Sequence, residues 1–373
     1  MQRVVISGTG MYVPREVISN QELVASFNEY VARENQRHAA AIAAGSMAPL
    51  AESSVEFIEK ASGIQRRHVL DKAGILDPQR MRPHFAPRAN DELSLMAEIA
   101  VAAAQEALAQ AGRQAADIDA VICAAANMQR PYPAMAVEIQ QALGAGGYGF
   151  DMNVACSSAT FAIEQAVNAV RCGTARTVLV VNPEITSAHH CWYDRDCHFI
   201  FGDICTALVI ERAEHARPGS WEVLGTRLAT RYSSNIRNNA GFLNRCEDSD
   251  PQARDKLFVQ EGRKVFKEVC PMAAEHIASH LAQLALAPAS DVRRYWLHQA
   301  NLSMNQLIAR KLLERDATAD EAPVILDEYA NTASAGSIIA FHLHRADLAA
   351  GDVGVLCSFG AGYSIGSVVV RKW

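Results

Sequence analysis

An internal duplication constrains this chain more than any other feature. Residues 117–127 read DIDAVICAAAN and residues 291–301 read DVRRYWLHQAN. Both open on an acid, pass through an apolar strand-like run and close on Ala-Asn ten residues on. Each follows an Ala-rich helical stretch, SLMAEIAVAAAQEALAQAG before the first and VCPMAAEHIASHLAQLAL before the second. A second match starts at Cys156 (CSSATFAIEQAVNAVRCGTARTVLVV) and at Asn331 (NTASAGSIIAFHLHRADLAAGDVGVLCS), with Val178 and Val353 each 22 residues further on. Each half then closes on a related strand entry, FGDICTALVIE at 201–211 and FGAGYSIGSVVV at 359–370.

Strands alternating with helices in both halves predict a layered α/β architecture, divided into residues 1–215 and 216–373. The Ser, Ala and Thr content of 157–171 and 332–345 predicts helices packed closely at the centre, where large side chains do not fit. Pseudo-twofold symmetry then places Cys156 and Asn331 at equivalent helix starts, with His298 as the second-half counterpart of Ala124. Three residues distant in sequence are thereby predicted to converge.

Composition narrows the function classes. The 373 residues are half hydrophobic, enough for a large core, and carry a formal charge of −6. Charges are interspersed, so no basic stripe points to nucleic acid. No apolar run approaches the roughly 20 residues of a membrane span, and the opening MQRVVISGTGMYV reads as a strand. The nine cysteines follow no framework spacing, which predicts free thiols in a reducing cytoplasm.

Among those cysteines Cys156 stands apart. It lies on the turn between the apolar YGFDMNVA and the helical SSATFAIEQAVNAV. At a helix N-terminus the dipole and free N–H groups favour a thiolate and can hold a developing oxyanion. The surrounding ACSSA lacks the glycines of a serine-hydrolase elbow. HHCWYDRDCH at 189–198 is rich in metal-ligating types, but no second Cys/His pair follows at zinc-site spacing, so it is predicted to be a loop before a buried FIFGD strand. His298 sits at a strand end facing a helix start. Asn331, in YANTASAG, fits either a site residue or a helix cap.

The Ala-Cys-Ser turn, HQAN, ANTAS, FGD and the C-terminal FGAG loop together resemble the β-ketoacyl-acyl-carrier-protein synthase III group of the thiolase-like superfamily, nearly end to end. The resemblance implies duplicated βαβαβαββ halves in a five-layered α-β-α-β-α sandwich. It implies Cys156 as nucleophile, His298 and Asn331 as the pair serving condensation, and backbone N–H groups of Cys156 and Ala361 as the oxyanion hole. It also implies Arg195, Asn301, Phe57 and Phe201 as substrate contacts, Tyr132 lining a dimer partner's acyl pocket, and Lys267 docking the acyl carrier protein.

The implied reaction is two-stage. Cys156 takes an acyl group from acyl-coenzyme A, and the enolate of a decarboxylated malonyl thioester then attacks it, without metal or other cofactor. The implied protein is a cytoplasmic homodimer. The sequence departs from the family where Phe57 replaces a tryptophan, Ala61 an arginine and Ser303 a basic residue, which weakens the coenzyme and carrier contacts. Residues 30–53 and 71–90 run longer than in compact members and are predicted to cap the site mouth and alter acyl choice. Competing readings are a condensing enzyme with another acceptor and a non-catalytic partner subunit. The thiolase reading is disfavoured because Ser358 stands where that family has its second cysteine.

Overall fold

A computed structural model of the chain describes residues 2–250 and 253–373. In the first half, strand Val4–Tyr12 pairs antiparallel with Ile204–Arg212, which pairs antiparallel with Thr177–Glu184. Ala120–Ala124 follows in parallel, and Tyr148–Met152 closes that edge in parallel. The second half repeats the order. Trp221–Ser233 pairs with Gly362–Lys372, that strand with Val353–Gly360, and that with the parallel Arg294–Leu297. The strand ladders of the two halves join through two register pairs, Val5 with Glu222 and Ile6 with Trp221.

The second half departs from the duplicated pattern by one strand. Where a fifth strand would sit, residues 321–325 give Arg294–Leu297 one main-chain bond, from the Tyr295 N–H to the Glu321 carbonyl at 2.7 Å. Pro323 lacks the N–H a ladder needs. A second departure concerns FIFGD. The predicted strand is instead a set of turns with a single bridge between Phe201 and Asn331, and regular pairing starts at Ile204.

Three apolar clusters separate five layers. Helices Ser158–Cys172 and Gly336–Leu343 lie between the sheets, packed against Ala120, Ile122 and Val180 on one side and Trp296, Leu356 and Val368 on the other. The opposite faces of the strands carry Val121, Cys123 and Val181 against helices Leu95–Ala111 and Met135–Leu143. In the second half Tyr295, Val355 and Val369 pack against Gly262–Gln283 and Leu302–Leu313. Alternate residues of Ala120–Ala124 thus serve different cores, so the strand reads as continuously apolar. Gly8 is required by the tight approach of Leu95–Ala111, because a Cβ there would lie 2.2 Å from the Ala107 carbonyl oxygen.

A fourth cluster joins the two long segments to the body through Phe27, Val31, Ile75, Met81, Trp192 and Phe199. The capping box of Ser19 and Glu22 starts helix Asn20–Arg37, which runs through the first segment. Two asparagine amides on that helix then hold the returning chain. Asn28 exchanges two hydrogen bonds with Ser53, and Asn35 two with Leu50, all between 2.8 and 3.1 Å. In the second segment Asp71 accepts the N–H groups of Gly74 and His84. No residue of 30–53 lines the cavity that holds Cys156. The first segment therefore lies outside that cavity's lining: Tyr30 and Val31 pack into the fourth cluster, whereas Met47 and Leu50 are exposed.

Gly8→Ala should destabilise the protein by about 1–3 kcal/mol through overpacking. Gly241→Ala, where an added Cβ meets nothing within 4 Å, should stay within about 0.5 kcal/mol of the parent. Urea unfolding of the two variants checks the difference.

Candidate active site

Two short turns meet at the centre of the molecule. Cys156 lies in the 3₁₀ turn Ala155–Ser157 that leads into Ser158–Cys172. Ser334 lies in the matching turn Ala333–Ala335 that leads into Gly336–Leu343. Ala155 and Ala333 share a left-handed backbone, with φ of 46° and 48°. Each donates its N–H to the side-chain oxygen of an asparagine two residues earlier, Asn153 and Asn331, both at 2.9 Å. These local bonds support a conformation that alanine otherwise disfavours.

The register corrects the symmetry predicted from sequence. Asn331 is the counterpart of Asn153, and Cys156 that of Ser334, a shift of three residues. Matching both regions on their small polar clusters hid the shift, because Asn-x-Ala-x-small recurs in each. His298 does match Ala124: Leu297 pairs with Cys357 as Cys123 pairs with Val181.

Cys156, His298 and Asn331 all line one cavity of about 870 Å³. The end of strand Val353–Gly360, with Ala361 after it, knits them together. Phe359 packs edge-on to the His298 ring with centroids 5.2 Å apart. Gly360 lies against Cys156, where a Cβ would stand 3.0 Å from the sulfur, so only glycine leaves the thiol its place. The backbone N–H groups of Ala361 and of Cys156 itself both point at that sulfur. Both donors favour negative charge at the sulfur.

The electrostatics differ from those predicted at a helix start. Burial, aided by the nearby Glu184 carboxylate, pushes the Cys156 thiol up to about 12, and the two backbone donors only partly oppose it. Desolvation of the half-buried side chain outweighs the helix terminus and favours the protonated thiol. Burial likewise drives His298 down to about 4, leaving a neutral ring. Its Nδ1 has no partner, and its backbone N–H bonds the Cys357 carbonyl at 2.8 Å. With Oδ1 of Asn331 taken by Ala333, the Nδ2 of Asn331 is its remaining donor on the cavity side. The site thus offers neutral donors and no cation beside the sulfur.

The other residues singled out in the sequence divide. Phe57, Phe201, Asn301 and Lys267 line the cavity. Asn301 caps Leu302–Leu313 and donates to the Ala61 carbonyl at 2.6 Å. Arg195 is not among the lining residues. Its guanidinium stacks on Phe57 at 4.1 Å and its Nε holds the Glu52 carbonyl at 2.6 Å. Tyr132 is 81% exposed and contributes nothing to the cavity of its own chain.

Sequence reasoning missed Arg254 and Arg263, which join Lys267 along the wall, and the ion pair of Arg254 with Asp194. It also missed Glu184, whose only signal was a carboxylate ending the apolar run TVLVVNPE. The 189–198 loop buries His190, Cys191 and Cys197 among aromatic rings.

Comparison with known proteins agrees with this geometry. The families described as 3-oxoacyl-[acyl-carrier-protein (ACP)] synthase III and its C-terminal region match residues 150–231 and 282–372. A beta-ketodecanoyl-[acyl-carrier-protein] synthase of Pseudomonas aeruginosa is 62% identical over 93% of this chain and 99% of its own. A beta-ketoacyl-[acyl-carrier-protein] synthase III of Mesorhizobium japonicum is 30% identical over the whole of both chains. The crystal structure of 3-oxoacyl-[acyl-carrier-protein] synthase III from Aquifex aeolicus superposes with a TM-score of 0.77 at 25% identity, covering 99% of each chain.

Nitrogen-15 spectra of the histidine rings should show one neutral ring, assigned by its loss in His298→Ala, that protonates only near pH 4. Protonation of that ring near pH 6.5 would contradict the buried, neutral assignment.

Proposed function

This chain belongs to the 3-oxoacyl-[acyl-carrier-protein] synthase III family of condensing acyltransferases, and we propose that it joins a medium-chain acyl group, taken from coenzyme A, to malonyl-acyl carrier protein. The observation that carries the reading is the convergence of Cys156, His298 and Asn331 on one cavity, with two N–H groups aimed at the sulfur.

In the first stage the Cys156 sulfur attacks the thioester carbonyl. The N–H groups of Cys156 and Ala361 hold the oxyanion, and the thiol proton leaves on the sulfur of coenzyme A. In the second stage a malonyl thioester occupies the same cavity. Its carbonyl oxygen accepts hydrogen bonds from His298 and the Nδ2 of Asn331. Both donors are neutral, so they stabilise the enolate left by departing carbon dioxide without first exchanging a proton. The enolate carbon attacks the acyl-cysteine carbonyl and expels the Cys156 thiolate, which takes up a proton. A thiol as weakly acidic as this one returns readily to its protonated resting form. Both substrates arrive as activated thioesters, so the scheme involves no resident cofactor.

The chain-length proposal rests on two supports. The product named for the Pseudomonas relative has ten carbons, of which malonyl supplies two, leaving an eight-carbon donor. A second cavity, of about 520 Å³, lies between the 85–96 stretch and the loops at 127–130 and 184–189, with Phe85, Leu95, Met96, Met128 and Ile185 on its walls. Glu184 lies on its wall and bears electrostatically on Cys156, which supports a path for the acyl chain from the sulfur toward that space. Part of the 71–90 segment thus has a place in acyl choice, at this cavity rather than at the mouth. Arg263 and Lys267 at the first cavity suit an acidic carrier protein. The exposed ring of Tyr132 suits a contact across a homodimer. Arg195 meets coenzyme A only if its stack on Phe57 opens.

Intact-mass analysis after incubation with octanoyl-coenzyme A should show one acyl adduct, on the Cys156 peptide and absent from Cys156→Ala. His298→Ala and Asn331→Ala should keep the adduct and lose at least about 100-fold in condensation with malonyl-acyl carrier protein. An unacylated wild-type Cys156, or normal condensation by both variants, overturns the assignment. Ile185→Phe, which narrows the second cavity, should lower kcat/KM for octanoyl-coenzyme A by about tenfold and spare acetyl-coenzyme A. Equal losses on both donors would place the acyl chain elsewhere.

A further inference from the structure

Glu184 ends strand Thr177–Glu184 in full burial, and no ion pair compensates it among the described residues. Its Oε1 accepts the N–H of Ala126 at 3.0 Å, the N–H of Ser334 at 3.1 Å and the Ser334 hydroxyl. Each partner leads to a catalytic turn. The Ala126 carbonyl accepts the Asn153 amide at 2.8 Å, and the other end of Asn153 holds the Ala155 N–H, next to Cys156. Ser334 follows Ala333, whose N–H holds Asn331. One carboxylate therefore holds the Ser334 turn directly and the Cys156 turn through Ala126 and Asn153.

The duplication sharpens the point. Thr177–Glu184 and Val353–Gly360 are equivalent eight-residue strands, so Glu184 is the counterpart of Gly360. Gly360 lies against Cys156, while Glu184 lies against Ser334, the counterpart of Cys156. The active copy of the turn keeps an open approach to its residue. The silent copy is filled by a carboxylate that clamps it.

We propose that Glu184 is a positioning residue for the condensation. Its carboxylate holds the Cys156 turn and the Asn331 turn in mutual register, so that the acyl-cysteine carbonyl and the enolate meet correctly. This rests on the roles assigned above to Cys156 and Asn331. Desolvation, with Asp203 nearby, pushes Glu184 up to about 7, and its charge in turn disfavours the Cys156 thiolate. The groups facing it are Asp203, Cys156, Cys123 and Cys205, all anionic when ionised.

The test uses the full-length protein and the variants Glu184→Gln and Glu184→Asp, with the Cys156 peptide followed by mass spectrometry. Above pH 7 wild-type Glu184 is charged and opposes ionisation of Cys156; below it the carboxyl is neutral. Iodoacetamide should therefore alkylate Glu184→Gln and wild type at similar rates at pH 5.5, and the variant about tenfold faster at pH 8.5. Condensation by pre-acylated Glu184→Gln should fall by about tenfold to 100-fold, because a misplaced donor forfeits orientation. Glu184→Asp keeps the charge but not the reach, so its alkylation should follow wild type while condensation stays impaired.

A folded Glu184→Gln with wild-type condensation and an alkylation ratio independent of pH overturns the proposal. Should Glu184→Gln not fold, wild-type condensation by Glu184→Asp overturns it equally. Failure of the nucleophile assignment is distinguishable, because it would appear as acylation at a peptide other than that of Cys156.

Discussion

The whole arrangement depends on bringing two helix starts into contact in the middle of a layered protein. A helix start carries N–H groups with no partner inside the helix, and burying them without one is costly. Here small residues solve the steric half of the problem. Ser158, Ala159 and Thr160 on one side and Ser334, Ala335 and Gly336 on the other let the turns approach. Asparagine side chains and the Glu184 carboxylate solve the polar half. The donors left over, the N–H groups of Cys156 and Ala361, point at the sulfur. Catalytic capacity at this site is a residue of the polar accounting of the core.

The duplication explains how one site comes from two similar halves. At each equivalent place the copies differ in a single property. Ala124 is exchanged for His298, Ser334 for Cys156, and Glu184 for Gly360. Asn153 and Asn331 stay the same residue, yet Asn153 spends its amide on the Ala126 carbonyl while Asn331 keeps its amide toward the cavity. The result is asymmetric in charge as well as in shape. The reactive side is neutral, with a protonated thiol and an uncharged imidazole. The anionic group lies behind it. A site built this way suits chemistry in which the negative charge arrives with the substrate and moves through an enolate.

Much of this was legible in letters. The repeat predicted the layers, since strands buried on both faces and helices rich in small residues leave a periodic trace. His298 was recoverable because its register with Ala124 survives in unbroken strands. The true equivalence of Cys156, with Ser334 rather than Asn331, was not recoverable. It depends on which alanine takes the left-handed conformation and which asparagine caps it, and both halves offer the same letters within three residues. The missing fifth strand of the second half turns on one proline. The failure of FIFGD to become a strand turns on the Asn331 backbone, which takes the Ile200 carbonyl and the Gly202 N–H for itself.

The sequence by itself determined the class of fold and the reactive residue types, because hydrophobic periodicity and side-chain chemistry are properties of the chain wherever it goes. Tertiary structure alone decided how acidic Cys156 is, which face of Asn331 is free, and that Arg195 rests on Phe57 instead of the cavity. It also decided that one carboxylate bonds both Ala126 and Ser334. Apart from the local bond of Asn331 to Ala333, each of these depends on desolvation or on a partner more than 50 residues away. Burial and long-range contact exist only once the layers have closed.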